Sequence, residues 1–325
     1  MSNPDKQYFE NILAAIQETE ADGLLSDHRA EGLSGLAGLK TVGVLQRLAK
    51  LMSADETACY LEIGVFQGLT LVSTALDAPD LPCYGIDNFR ILDPNDENLG
   101  IVKDRMTTFK TENAKLINMD FEAALESLED YIGDRKVGLY LIDGPHDYRS
   151  QLVCLLLAKR HLHDRAVIVI DDANYPDVRM ATRDFLLSHL DFKMIFEAYS
   201  PAHPANLEPA ELPKWEDGWL NGVNILVCDP DGMFPDMMPP IIEDRTLYFN
   251  EWLVHRLRLA ELAPEALALA EQVCRGDTEP ETTATRDLIK KYDQTIDLFD
   301  NRTQDRNVYS NDLPKGKFNE MYNLD

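Results

Sequence analysis

Residues 58–68 read Ala-Cys-Tyr-Leu-Glu-Ile-Gly-Val-Phe-Gln-Gly. The run Ala58–Ile63 is apolar at nearly every position rather than at alternate ones, as a strand covered on both faces must be. It carries one carboxylate, Glu62, near its end and opens into two glycines, Gly64 and Gly68. Glycines there serve either a tight strand-to-helix turn or the close approach of a ligand to the backbone. Their spacing departs from G-x-G-x-x-G, which speaks against a dinucleotide.

Outward from this stretch the same pattern recurs. Six further apolar runs follow: Cys83–Ile86, Lys115–Met119, Val137–Ile142, Ala166–Ile170, Phe192–Phe196 and Val223–Val227. Helical windows lie between them at about 68–77, 97–112, 121–132, 148–162 and 177–189. Such alternation predicts an α/β fold, a mostly parallel sheet with helices on both faces. The last two runs are joined by 199–221, whose four prolines and two tryptophans do not suit a helix, so an antiparallel final pair is expected. In that joint His203, Trp215 and Trp219 are candidates to cover a substrate, or to pack on the body.

Before the sheet, residues 1–54 read as a helical cap. Phe9, Ile12, Leu13 and Ile16 mark one helix ending near Gly23, and Val42, Leu45, Leu48 and Met52 mark another. Residues 55–229 hold the sheet. Residues 230–325 form a C-terminal extension: a Pro/Met-rich turn at 230–240, helical windows at 243–274 and 281–299, and a polar tail from Asn301. Helices at both ends suit a homodimer or larger homo-oligomer.

The 325 residues include 57 acidic and 31 basic side chains, a formal charge of −26. That balance disfavours nucleic acid and anionic membranes as partners. Five cysteines without a C-x-x-C pair point away from disulfides and zinc and towards a reducing cytoplasm. The N-terminus lacks the pattern of a signal peptide, and no apolar run is long enough to span a bilayer.

In open parallel sheets, ligands bind beyond the carboxyl ends of the strands. After the second run stands Asp87-Asn88, where an acidic residue can accept a ribose diol. After the third stands Asp120-Phe121, a carboxylate and a ring suited to adenine, although Asp120 is also placed to cap the following helix. The fourth and fifth runs end Asp143-Gly-Pro-His146-Asp147-Tyr148 and Asp171-Asp172-Ala-Asn174. Three carboxylates converging on one sheet edge raise one another's pKa unless a cation sits among them. Oxygen donors without cysteine suit Mg²⁺, Ca²⁺ or Mn²⁺.

Glu-x-Gly-x-x-x-Gly, then Gly-Ile-Asp, then an acidic third strand end resembles the class I S-adenosylmethionine-dependent methyltransferases over about residues 55–229. The resemblance implies a Rossmann-like sheet of seven strands, the last antiparallel. Glu62, Gly64 and Gly68 would then line the methionine side of the cofactor. Asp87 and Asn88 would hold the ribose and Asp120 with Phe121 the adenine, with Asp143 also facing the cofactor.

Asp143 with the pair Asp171-Asp172 further resembles the metal-dependent O-methyltransferases of the catechol and macrocin types. This likeness implies Mg²⁺ or another hard divalent cation on those three aspartates. His146 occupies the place of a catalytic lysine, and a histidine can take a proton at neutral pH. The implied function is O-methylation of a small-molecule hydroxyl, on a sugar or a phenol. Two alternatives from other classes are an enzyme of the cephalosporin hydroxylase-like group and a non-catalytic cofactor-binding or assembly protein.

Overall fold

The computed structural model describes residues 4–90, 92–201, 204, 210–241, 257–275, 282–302 and 317–319. Every apolar run becomes a strand: β1 (Ala58–Ile63), β2 (Cys83–Ile86), β3 (Ala114–Ile117), β4 (Lys136–Ile142), β5 (Leu162–Asp171), β6 (Phe192–Ala198) and β7 (Val223–Cys228). All residues of β1, β2 and β7 are buried. That burial is why these runs lack the polar alternation of a half-exposed strand.

The sheet order is β3-β2-β1-β4-β5-β7-β6-β8. β1 pairs in parallel with β2 and β4, whereas β7 runs antiparallel to both β5 and β6. The strand order reverses between β1 and β4, so the crevice for a ligand opens beyond Ile63 and Ile142.

Within the stretch read as a polar tail, an eighth strand forms, β8 (Lys317–Phe318). It pairs antiparallel with β6. Neighbouring Asn319 is buried, and its amide donates to the carbonyls of Met194 and Pro235. Two residues are too few to leave a periodic signal.

The helices α1 (Pro4–Asp22) and α2 (Leu39–Met52) cover one face of the sheet. Phe9, Ile12 and Ile16 join Val44, Leu48 and the strand residues Tyr60, Leu139 and Val169 in one apolar cluster. The other face is covered by α5 (Phe121–Glu126), α6 (Glu129–Ile132), α7 (Tyr148–Ala158) and α8 (Pro176–Ser188). There Leu125, Leu155 and Phe185 pack on Leu61, Ile142 and Ile168. The window expected at 121–132 is therefore two short helices. Between β1 and β3 lie α3 (Leu69–Asp77) and α4 (Asn98–Phe109).

The joint at 199–221 contains a short helix, Leu212–Glu216. Its Trp219 is 7% exposed, donates its indole N–H to Glu20 at 2.6 Å and packs beside Phe196. Trp219 thus belongs to the body; His203 lies outside the described residues.

The chain divides into two units, residues 1–241 with 312–325, and residues 242–311. Within the second are helices Ala263–Cys274 and Thr282–Arg302, joined by the Lys291 ammonium on the Glu265 carboxylate at 2.9 and 3.0 Å. The first half of the helical window expected at 243–274 lies largely outside the described residues. No helix among the described residues is long and apolar enough to cross a membrane.

Candidate active site

The strand ends of β1, β2, β3 and β4 open on one cleft of about 530 Å³, a size usual for small-molecule sites. Its floor is the turn after β1. Gly64 has φ +87°, and a Cβ there would fall 1.8 Å from the carbonyl oxygen of Asp143. Only glycine lets the turn lie against the end of β4. Backbone bonds from Gly64 to Ile86 (3.0 Å) and from Asp143 to Ile63 (2.9 Å) hold the ends of β1, β2 and β4 together.

Asp87 lines the cleft and braces the same turn. Its Oδ2 accepts the backbone N–H groups of Val65 and Phe66, both at 2.9 Å, and its Oδ1 accepts that of Phe89 at 2.7 Å. A carboxylate offers about four acceptor sites, so it retains capacity for roughly one ligand hydroxyl. Asn88, Asp120 and Phe121 also line the cleft. Asp120 caps α5 by accepting from the Glu122 N–H at 3.0 Å. Asp120 thus both caps α5 and lines the cleft.

Two residues expected at the cofactor lie elsewhere. Glu62 is 0% exposed and sits beneath the floor, accepting from the Tyr60 hydroxyl at 2.5 Å and the Thr70 hydroxyl at 3.2 Å. Burial pushes its carboxyl up to about 8, against the opposing pull of those two bonds. Alternation along β1 accounts for its direction. Gly68, with φ +83°, starts α3 and serves the turn: a Cβ there would meet Val102 at 3.4 Å.

At the far end of the cleft, Asp143, His146 and Asp172 offer donor atoms all within 4.8 Å of one another. His146 Nε2 is 2.6 Å from Asp172 Oδ2. The imidazole stacks on Tyr175, with ring centres 4.8 Å apart. Burial opposes protonation of His146, but the Asp172 hydrogen bond and the charges of Asp172, Asp171 and Asp147 outweigh it and raise its pKa. Burial and then the charges of Asp171 and Asp172 hold the Asp143 carboxyl well above the usual carboxylate range. A close pair of acidic groups that resist ionising together, with an imidazole beside them, suits a bound cation.

Asp171 is not one of the three residues of that 4.8 Å group, but its charge acts on both Asp143 and His146. It is 5% exposed and accepts from the Thr41 hydroxyl of α2 at 3.4 Å. Asp172, just beyond the end of β5, adopts φ +57°, a left-handed conformation uncommon outside glycine. The donor atoms within 4.8 Å of one another belong to Asp143, His146 and Asp172, and Asp171 adds its charge beside them.

The sequence reading missed four contributors. Leu36 and Ala37, in the loop before α2, line the cleft. Arg105 of α4 ties that loop to the glycine turn by donating to the carbonyls of Ser34 (2.7 Å) and Gln67 (2.6 Å). Asn221, just before β7, donates its amide to Asp172 Oδ1 at 2.6 Å. None of these has a local signal, because each contact depends on packing between distant segments.

Residues 61–173 match the family model described as a methyltransferase domain. No curated protein matches the chain at a significant level. Among solved structures, the chain is similar to the O-methyltransferase TomG from Streptomyces achromogenes, involved in tomaymycin synthesis, at 13% identity. That likeness covers 69% of this chain and 99% of the other, with a TM-score of 0.45. It is also similar to the O-methyltransferase from Bacillus cereus at 11% identity, over 69% of this chain and 91% of the other, with a TM-score of 0.42. Likenesses this remote carry no weight for substrate or metal.

Proposed function

We propose that residues 61–173, which match a methyltransferase-domain model, use S-adenosylmethionine to methylate a hydroxyl oxygen of a small molecule with the help of a divalent cation. The observation that carries this reading is the cluster of Asp143, His146 and Asp172 at the end of a cleft floored by the glycine turn. S-adenosylmethionine supplies the electrophilic methyl group, and a divalent cation lowers the pKa of the acceptor hydroxyl.

The chain's own residues do the rest. Gly64 lets the turn pack against the end of β4 and so shapes the floor on which the cofactor's methionine end would lie. Asp87 offers its remaining acceptor capacity to the ribose, and Asp120 with Phe121 flanks the base. Asp143 and Asp172 hold the cation. His146 keeps Nε2 towards Asp172, so Nδ1 is the ring nitrogen available to receive the hydroxyl proton; Asp172 then stabilises the imidazolium. Rate acceleration follows from holding acceptor oxygen, methyl carbon and sulfur in line.

A second reading follows from the 4.8 Å cluster itself: His146 is a nitrogen ligand rather than a base, which shifts preference from Mg²⁺ towards Mn²⁺ or Fe²⁺. The deciding experiment follows transfer of labelled methyl to a panel of sugars and catechols, with and without chelator and with each cation. Transfer that chelator abolishes and Mg²⁺ restores supports the first reading, and restoration by Mn²⁺ or Fe²⁺ alone supports the second. Transfer that survives excess chelator removes the cation. No transfer to any acceptor, with cofactor still bound, favours a hydroxylase-like or non-catalytic protein.

A further inference from the structure

We propose that Asn221 is a positioning residue of the cation-binding edge, fixing the Asp172 carboxylate so that its second oxygen faces His146 and the cleft. The inference rests on the reading above that Asp143 and Asp172 hold a divalent cation.

Asp172 is held from both sides. Its Oδ1 accepts from the Asn221 amide at 2.6 Å, and its Oδ2 lies 2.6 Å from His146 Nε2. The residue has a left-handed backbone, φ +57°, which the surrounding structure must over-determine to persist. The turn carrying Asn221 supplies that constraint. Antiparallel pairing sets Asp171 opposite Val223, so the entry of β7 necessarily meets the exit of β5. Two backbone bonds close the meeting: Ala173 donates to the Gly222 carbonyl (3.2 Å) and Asn174 to the Asn221 carbonyl (3.0 Å). Gly222, with φ +85°, leaves no room for a side chain, since a Cβ would lie 2.5 Å from Asn174 Oδ1.

Asn221 is 3% exposed, and its own Oδ1 is buried without a hydrogen-bond partner. A buried amide with one half unsatisfied is an arrangement that folding alone does not favour. Its NH2 group donates to Asp172. A carboxamide also suits the task electrically. It donates to the carboxylate without adding a positive charge, so the attraction of Asp143 and Asp172 for a cation is kept. A lysine in its place would neutralise the edge.

Outer partners of ligating groups typically govern metal affinity by 10- to 100-fold. The test is titration of the full-length protein with Mn²⁺ by calorimetry, with S-adenosylhomocysteine titrated separately in the absence of metal. Asn221→Leu removes the donor at similar volume, and Asn221→Ser is made beside it in case leucine strains the turn. The expected result is Mn²⁺ binding 10- to 100-fold weaker in the variants, with S-adenosylhomocysteine affinity unchanged. Unaltered Mn²⁺ affinity in a variant that keeps the nucleoside overturns the inference. So does loss of nucleoside binding in both variants, which would make Asn221 a folding residue only. Failure of the unmodified protein to bind Mn²⁺ removes the cation from the proposed function and this inference with it.

Discussion

Glu62→Gln isolates the energetic effect of a carboxyl sealed under the glycine turn. In the folded chain the group is 0% exposed, and burial raises its pKa from 4.5 to about 8. Between those two pH values the folded state keeps a proton that the unfolded chain releases. The unfolded state therefore binds fewer protons there, and stability must fall as pH rises through that window. At about 1.4 kcal/mol per pH unit over roughly three and a half units, the loss reaches at most about 5 kcal/mol. Glutamine does not titrate, and its amide can still accept from one of Tyr60 and Thr70 while donating to the other. Urea unfolding of both proteins from pH 5 to pH 9 measures the difference. The variant should match the parent near pH 5 and exceed it by several kcal/mol at pH 9. Parallel stability profiles across that range would refute the burial argument and mean that Glu62 is ionised when folded.

Gly64→Ala should abolish cofactor binding and lower the urea midpoint. The left-handed dihedral alone costs an alanine about 1–2 kcal/mol, and the 1.8 Å approach to the Asp143 carbonyl adds a clash with backbone that no rotamer relieves. Arg105→Met should loosen the loop before α2 and weaken S-adenosylhomocysteine binding several-fold by calorimetry, since two charge-assisted bonds to Ser34 and Gln67 are lost. Unchanged affinity would mean that the loop holds its place unaided. Mn²⁺ at 100 times its dissociation constant should stabilise the protein by about 2.7 kcal/mol. That gain, read as a rise in melting temperature, should vanish in Asp143→Asn.

Strands β1 to β7 were legible because two-sided burial forces unbroken apolar runs, and the runs of β2 to β5 are each followed by a carboxylate at the ligand edge. Depth was not legible. Glu62 and Asp87 both stand at strand ends, yet the first is sealed beneath the turn and the second faces the cleft. Nor was the left-handed backbone of Asp172 after β5, a conformation uncommon outside glycine. Asn221 was invisible for a topological reason. It reaches Asp172 across 49 residues because β7 inserts between β5 and β6, and no local pattern encodes an insertion.

The two-residue strand Lys317–Phe318 has a consequence for handling the protein. It occupies the open margin of β6, where unpaired N–H and C=O groups would otherwise offer a template to a second chain. A truncation that deletes it should uncover β6 and favour aggregation, with catalytic chemistry untouched. A fusion appended at that end needs a spacer long enough to leave this stopper seated.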